Sequence, residues 1–227
     1  KDGYDVYSTI DINIQDIAHH ALLGQLEKYQ ADHGTVIVME VKTGEVKAIS
    51  NLGQTTDGKY YERLNYAIGE SHEPGSTFKL MNLVAALEDK IIDTSTVIDT
   101  ENGRWKIYKH WVKDTKRGGH GKISMSKAFE VSSNVAFAKM INNGYKNDPE
   151  KYVNRLMSMG VHKELGLPVV GEGKPVLRYP GDKGWSGLSL AQMAYGYEVS
   201  MTPLQTLAFY NAIANDGEMV KPRLLKE

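Results

Sequence analysis

The chain contains no cysteine, which excludes disulfide cross-links, thiolate nucleophiles and cysteine-ligated metals and leaves the redox compartment unassigned. It has no apolar run approaching the ~18 residues of a membrane-spanning helix. Its first residues, Lys1-Asp2-Gly3-Tyr4-Asp5, lack the apolar centre of a signal peptide, so any anchor of the natural protein is expected outside these residues. Excess charge is also missing: 27 Lys plus Arg stand against 28 Asp plus Glu, so there is no overall attraction to nucleic acid, and nucleic acid is not an expected partner. The histidines, His19-His20, His110 and His120 among them, fall at no metal-ligating spacing such as His-Glu-x-x-His. No phosphate-cradling glycine loop is evident, so no metal or other cofactor is expected. Internal repeats and low-complexity tracts are absent too.

What remains is the composition of a folded globular chain, 227 residues long, enough for one sizeable core. Residues 10–29 carry Ile14, Ile17, Ala18, Ala21, Leu22 and Leu26 at helical spacing with Asp11 as a cap. Two β-prone runs, Thr35–Val41 and Val46–Ser50, flank Lys42-Thr43-Gly44-Glu45 and predict a hairpin with one buried face. Beyond Ser76, Phe78, Leu80, Met81, Leu83, Val84, Ala86 and Leu87 are apolar on most sides, predicting a core helix ended by Asp89 and Lys90. Residues 91–185 are polar and glycine-rich, with helices expected near 124–142 and 149–159. Thr202-Pro-Leu-Gln205 is a strong helix start and Asn215-Asp-Gly217 a stop. The expectation is an α+β fold divided into an opening segment (1–12), a helix, hairpin and core-helix region (13–90), a mostly helical lobe across a cleft (91–185) and return helices (186–227). Aromatic residues around 105–111 and 195–197 read either as the lining of a substrate groove or as core, with core the expectation.

The stretch Glu73-Pro-Gly-Ser-Thr-Phe-Lys79 places a serine in a first helical turn with a lysine three residues on, on the same face. A hydroxyl is a poor nucleophile until a base takes its proton, and this lysine is within reach. It must first be neutral. At its usual pKa only about one lysine in 2500 is uncharged at pH 7, so burial or a neighbouring cation has to favour the free amine. The helix N-terminus would favour the developing alkoxide. An ordinary helix start remains the alternative. A second serine–lysine pair, Ser124 and Lys127, reads as the capped start of a surface helix. Ser132-Ser133-Asn134 is the chain's Ser-x-Asn: a hydroxyl to relay a proton and a carboxamide to hold a substrate amide, or a short polar helix face.

Together these residues resemble the active-site serine penicillin-recognising family, whose signature is Ser-x-x-Lys, then Ser-x-Asn, then Lys-Thr-Gly. Thr9-Ile-Asp-x-x-Ile-Gln15, Glu40-Val-Lys-Thr-Gly-Glu-Val46 and Gly196-Tyr-Glu-x-x-x-Thr-Pro-Leu-Gln205 sharpen the match to the transpeptidase domain of class B penicillin-binding proteins. The Glu73–Lys79 form and Asp99-x-x-x-Gly103-x-Trp105 look more like the cell-division type than the elongation type.

The resemblance implies a penicillin-recognising serine transpeptidase fold, an antiparallel sheet flanked by helices plus a mostly helical lobe. It makes Ser76 the acylated nucleophile, Lys79 its general base, Ser132 a proton relay and Asn134 a substrate contact, with no metal or cofactor. It implies peptidoglycan stem peptides and β-lactam antibiotics as ligands, cell-division membrane proteins as partners, and a place on the outer, periplasmic face of the cytoplasmic membrane. One departure stands out: Lys42-Thr43-Gly44 precedes the serine and reads as a turn. The third motif and its strand are therefore expected beyond Glu227, with the sheet incomplete and acylation weak in these residues alone. A β-lactamase, a β-lactam sensor or a non-catalytic scaffold of the same fold is the alternative function.

Overall fold

The structure is a computed structural model and describes residues 3–226. In chain order its first elements are α1 (Ile12–Tyr29), β1 (His33–Met39), β2 (Val46–Gln54), β3 (Tyr60–Tyr61) and α2 (Tyr66–Gly69), and a 3-10 turn, Gly75–Phe78, then runs directly into α3 (Lys79–Glu88). Four short strands follow: β4 (Val97–Asp99), β5 (Arg104–Ile107), β6 (His110–Lys113) and β7 (Lys122–Ser124). The remainder is α4 (Met125–Glu130), α5 (Asn134–Tyr145), α6 (Pro149–Ser158), β8 (Val176–Leu177), α7 (Ser189–Met193), β9 (Val199–Ser200) and α8 (Pro203–Ala214). The chain forms two compact units: one takes the segments up to Ser71, Glu164–Lys174 and from Met201 onward, the other His72–Lys163 and Pro175–Ser200.

In the first unit, Asp11 caps α1 by accepting from the N–H groups of Asn13 and Ile14. The buried stripe of α1 is Ala18, Leu22 and Leu26, a strict four-residue spacing on one helical face. Ile14, Ile17 and Ala21, expected on that face, are exposed, because the helix rests on the sheet along the single row that runs with its axis. Leu22 and Leu26 pack against Leu52, Val36 and Tyr60. The sheet order is β1-β2-β3, with β1 and β2 antiparallel. Its other face is covered as well: Ile37 and Ile49 pack against Ala67, Ile68 and Leu204 of α2 and α8. The expected hairpin with one buried face is thus a hairpin buried on both, since side chains alternate along a strand and each face has its own helical cover. Lys42-Thr43-Gly44 forms the β1–β2 turn. Thr202 and Gln205 form a reciprocal capping box at the start of α8.

In the second unit, α3 is the central element, with Met81, Asn82, Ala85 and Ala86 buried. The Asn82 amide donates to the carbonyls of Met193 and Ala194 at 3.0 Å each and its oxygen accepts from Tyr152 at 2.6 Å, so α3 is tied to α6 and α7 with no polar atom of that side chain left unpaired. At the far end of α3, Asp89 accepts from Tyr145 at 2.9 Å and from both Nε and an Nη of Arg155. Residues 97–124, for which the sequence pattern predicted no strands, make two antiparallel ribbons, β4–β7 and β5–β6; strands this short carry little period-2 signal. The helix expected near 124–142 is instead two, α4 and α5, separated at Val131–Ser133.

Candidate active site

Ser76 lies exposed in the 3-10 turn ahead of α3. Gly75 N–H donates to the carbonyl of Gly196 at 3.1 Å, and the two backbones approach so closely that a Cβ on Gly196, whose φ is +86°, would lie 1.9 Å from the Gly75 oxygen. Only glycine fits there. The Glu73 carboxylate accepts from the Glu198 N–H at 3.0 Å, so the turn bearing Ser76 is tied to both Gly196 and Glu198.

Lys79 is 1% exposed, which is rare for lysine. Its Nζ lies 3.2 Å from Ser76 Oγ, 2.9 Å from Ser132 Oγ, and 2.7 Å from both Ser132 O and Asn134 Oδ1. An ammonium has only three N–H bonds, and four oxygens surround it. The two at 2.7 Å can only accept. A neutral amine satisfies the set in another way: its two N–H groups meet those two carbonyl oxygens, and its lone pair is left to accept a proton from a serine hydroxyl. Burial pushes the Lys79 pKa down to about 8, against a smaller opposing pull from the Asp114 carboxylate. That displacement corresponds to about 3 kcal/mol and raises the neutral fraction at pH 7 to about a tenth. The ring of Phe137 lies beneath the amine, 5.7 Å from Nζ to its centroid.

The Ser132–Asn134 turn explains the break between α4 and α5. Ser132 adopts φ +54°, the left-handed region that costs a residue with a Cβ roughly 1–3 kcal/mol and is tolerated where surroundings enforce it. Those surroundings are visible. Ser133 caps α5, accepting from the Ala136 N–H at 3.0 Å and donating to the Asp114 carboxylate. Asp114 also accepts from the Val135 N–H at 3.0 Å, a negative charge at a helix N-terminus. Asn134 directs its oxygen to Lys79 and its Nδ2 to the carbonyl of Lys113 at 3.0 Å, so one amide hydrogen remains for another partner.

All four residues singled out in the sequence, Ser76, Lys79, Ser132 and Asn134, therefore meet around one nitrogen, whereas Ser124 caps α4 through the Lys127 N–H and Lys127 Nζ pairs with Glu130. Sequence reasoning missed Asp114, and it quoted Gly196 within a family segment without its contact to the serine turn. Asp114 follows a two-strand ribbon unreadable from periodicity, and Gly196 lies far along the chain from the turn it touches. Beside Asn134 opens a groove of about 420 Å³ lined by His110, Trp111, Gln192, Tyr195 and Tyr197. Of the aromatic residues expected to fill core, Tyr195 is buried but Trp111 and Tyr197 are 48% and 47% exposed. They form a groove wall because β6 is half of an isolated ribbon with one open face. Among the described residues no cluster of His, Asp or Glu is arranged to hold a metal.

Residues 34–227 match the penicillin binding protein transpeptidase domain, and the chain belongs to that family. It is 30% identical over 234 residues to the stage V sporulation protein D of Bacillus subtilis (strain 168), covering 100% of this chain and 35% of that protein. It is 28% identical over 220 residues to the peptidoglycan D,D-transpeptidase FtsI of Escherichia coli (strain K12), covering 95% of this chain and 36% of that one. Its fold matches the apo transpeptidase domain of Burkholderia pseudomallei penicillin-binding protein 3 with a TM-score of 0.84 at 28% identity, over 100% of this chain and 63% of that chain. The fold is thus the α+β penicillin-recognising transpeptidase fold. The chain spans about a third of the length of these curated relatives.

Proposed function

We propose that this chain carries the acyl-transfer site of a peptidoglycan D,D-transpeptidase, with Ser76 as nucleophile, Lys79 as general base, Ser132 as proton relay and Asn134 as substrate contact. The observation that carries it is the set of four oxygens around one buried amine, which leaves a lone pair for a serine proton. Ser76 Oγ attacks the carbonyl of the penultimate D-alanine of a donor stem while Lys79 accepts the hydroxyl proton. The Oγ–C bond forms, the C–N bond to the last D-alanine breaks, and the proton passes through Ser132 to the departing amine. An amine of a neighbouring stem then attacks the ester, restoring the Ser76 hydroxyl and completing the cross-link. A backbone N–H at the start of the helix bearing Ser76 is assigned to the developing oxyanion, and the free Nδ2 hydrogen of Asn134 binds a substrate carbonyl. A β-lactam follows the same first step, but its leaving nitrogen stays tethered and the ester persists.

The resemblance of the Glu73–Lys79 segment, together with relatives named FtsI, supports septal cell-wall synthesis. The work is assigned to the outer face of the cytoplasmic membrane with cell-division membrane proteins as partners; among the described residues no helix is long and apolar enough to cross a membrane. Incubating the full-length protein with a fluorescent penicillin is expected to label it covalently, and Ser76→Ala is expected to remove the label. Label that survives Ser76→Ala would contradict the assignment of the nucleophile.

A further inference from the structure

The β5–β6 register sets Arg104 directly opposite Lys113. Like charges so opposed destabilise an antiparallel pair, and ribbons normally avoid the arrangement. Alternation puts Lys106 and Trp111 on the same open face, while Ile107 and Val112 turn to the buried one. The turn after β6 adds Lys116 and Arg117, and these four cationic residues line one concavity of about 420 Å³ with Asp114. Its shape is built rather than incidental. A Cβ on Gly119 would lie 2.1 Å from the Gly103 nitrogen, so the Lys116–Gly119 turn, closed by Gly119 N–H on the Lys116 carbonyl at 3.1 Å, is packed backbone to backbone against the start of β5.

No counter-ion has been supplied. Among the described residues, Arg104, Lys113, Lys116 and Arg117 make no ion pair and no side-chain hydrogen bond, and the one carboxylate present, Asp114, directs its oxygens to Ser133 and the Val135 N–H. Four cations thus face one committed anion, in a chain whose net charge is −1. A concavity lined by one sign of charge concentrates its field and attracts the opposite charge.

This cationic wall is joined to the candidate active site by the chain itself. The Lys113 carbonyl holds Asn134, and Lys113 lines both the aromatic groove beside Asn134 and the cationic concavity. We propose that the Arg104–Arg117 concavity is a binding subsite for a carboxylate on the peptide substrate, carried by a residue upstream of the bond that Ser76 attacks. Guanidinium forks suit a carboxylate's two oxygens, and an extended peptide leaving Asn134 along the groove passes Lys113 first. The choice of a peptide as ligand rests on the transpeptidase proposal, whereas the subsite itself does not depend on Ser76 chemistry.

The test uses the full-length protein carrying Ser76→Ala, which binds without reacting, and two peptides ending in D-Ala-D-Ala that are identical except for a glutamate or a glutamine two residues before the D-Ala pair. The acidic peptide is expected to bind roughly tenfold more tightly at low salt, the scale of a few exposed charge pairs, with the preference fading at high salt. Arg104→Gln with Arg117→Gln is expected to abolish the preference without weakening the amide peptide, and Arg117→Glu alone, on the exposed turn, to reverse it. Equal binding of both peptides to the parent, or a preference that survives both variants, would overturn the subsite. Equal weakening of both peptides would overturn it too, since the cations would then be holding the fold. A failure of penicillin labelling in the Ser76 protein would strike the acyl-transfer proposal alone and leave this comparison standing.

Discussion

Replacing Lys79 with arginine is expected to slow acylation of Ser76 by a fluorescent penicillin by about 1000-fold or more. The charge would be kept, and so would the capacity to donate to Ser132 O and Asn134 Oδ1. What is lost is the neutral form: a guanidinium stays protonated at any pH a protein tolerates, so it can offer no lone pair to the Ser76 proton. General-base assistance contributes about 10²–10⁴ in rate, and here the base also begins the relay through Ser132. Because arginine is larger and the site is sealed, Lys79→Met serves as the companion variant, similar in length and apolar beside Phe137. Both variants should stay folded by circular dichroism and label at the same slow rate. Arginine labelling at near-parent speed would mean that Lys79 acts as a fixed charge rather than a base.

The second large effect concerns a residue outside the four oxygens around Lys79 Nζ. Asp114 is a positioning residue: it accepts from Ser133 and Val135 and so holds the left-handed turn that aims Ser132 and Asn134 at Lys79. Asp114→Ala leaves the fully buried Ser133 hydroxyl and a helix N–H without their acceptor, a loss of about 1–3 kcal/mol, and a misplaced turn is expected to lower the acylation plateau by up to about 100-fold. Asp114→Asn separates shape from charge. In the parent, burial lowers the Lys79 pKa to about 8 and the Asp114 charge opposes that fall. The active species is the neutral amine, so parent acylation should rise with pH through about 8 and fall roughly tenfold per pH unit below it. Removing the Asp114 charge removes the opposing pull, and the midpoint should move to lower pH. A merely structural role would lower the plateau and leave the midpoint in place.

Local chemistry in this chain was legible, and distant pairing was not. The Asp11 cap, the Thr202–Gln205 box and the i,i+3 placement of Ser76 and Lys79 follow from a few neighbouring residues and the helical repeat. The break at Ser132 was hidden because Ser, Asn and Val tolerate helix, and what enforces the turn is Asp114, brought in by the β5–β6 ribbon. That ribbon has strands of four residues, too short for alternation to stand out, so Asp114, Lys113 and the cationic wall all escaped with it. Burial of both faces of the β1–β2 hairpin was missed for a related reason: β2 reads as half-polar, and the cover over Ile49 comes from α8, far along the chain. Ser76, Lys79, Ser132 and Asn134 could be named as candidates from motif spacing, but the four-oxygen cage that leaves the amine one lone pair arises only from the three-dimensional arrangement.

The most direct test of this account is to titrate the Lys79 amine itself. With lysine side chains isotopically labelled and the resonance assigned by its absence in Lys79→Met, NMR should show one amine losing its proton near pH 8, well below the ~10.4 of an ordinary lysine. A Lys79 resonance that stays protonated through pH 10 would contradict the proposal that this residue takes the proton from Ser76.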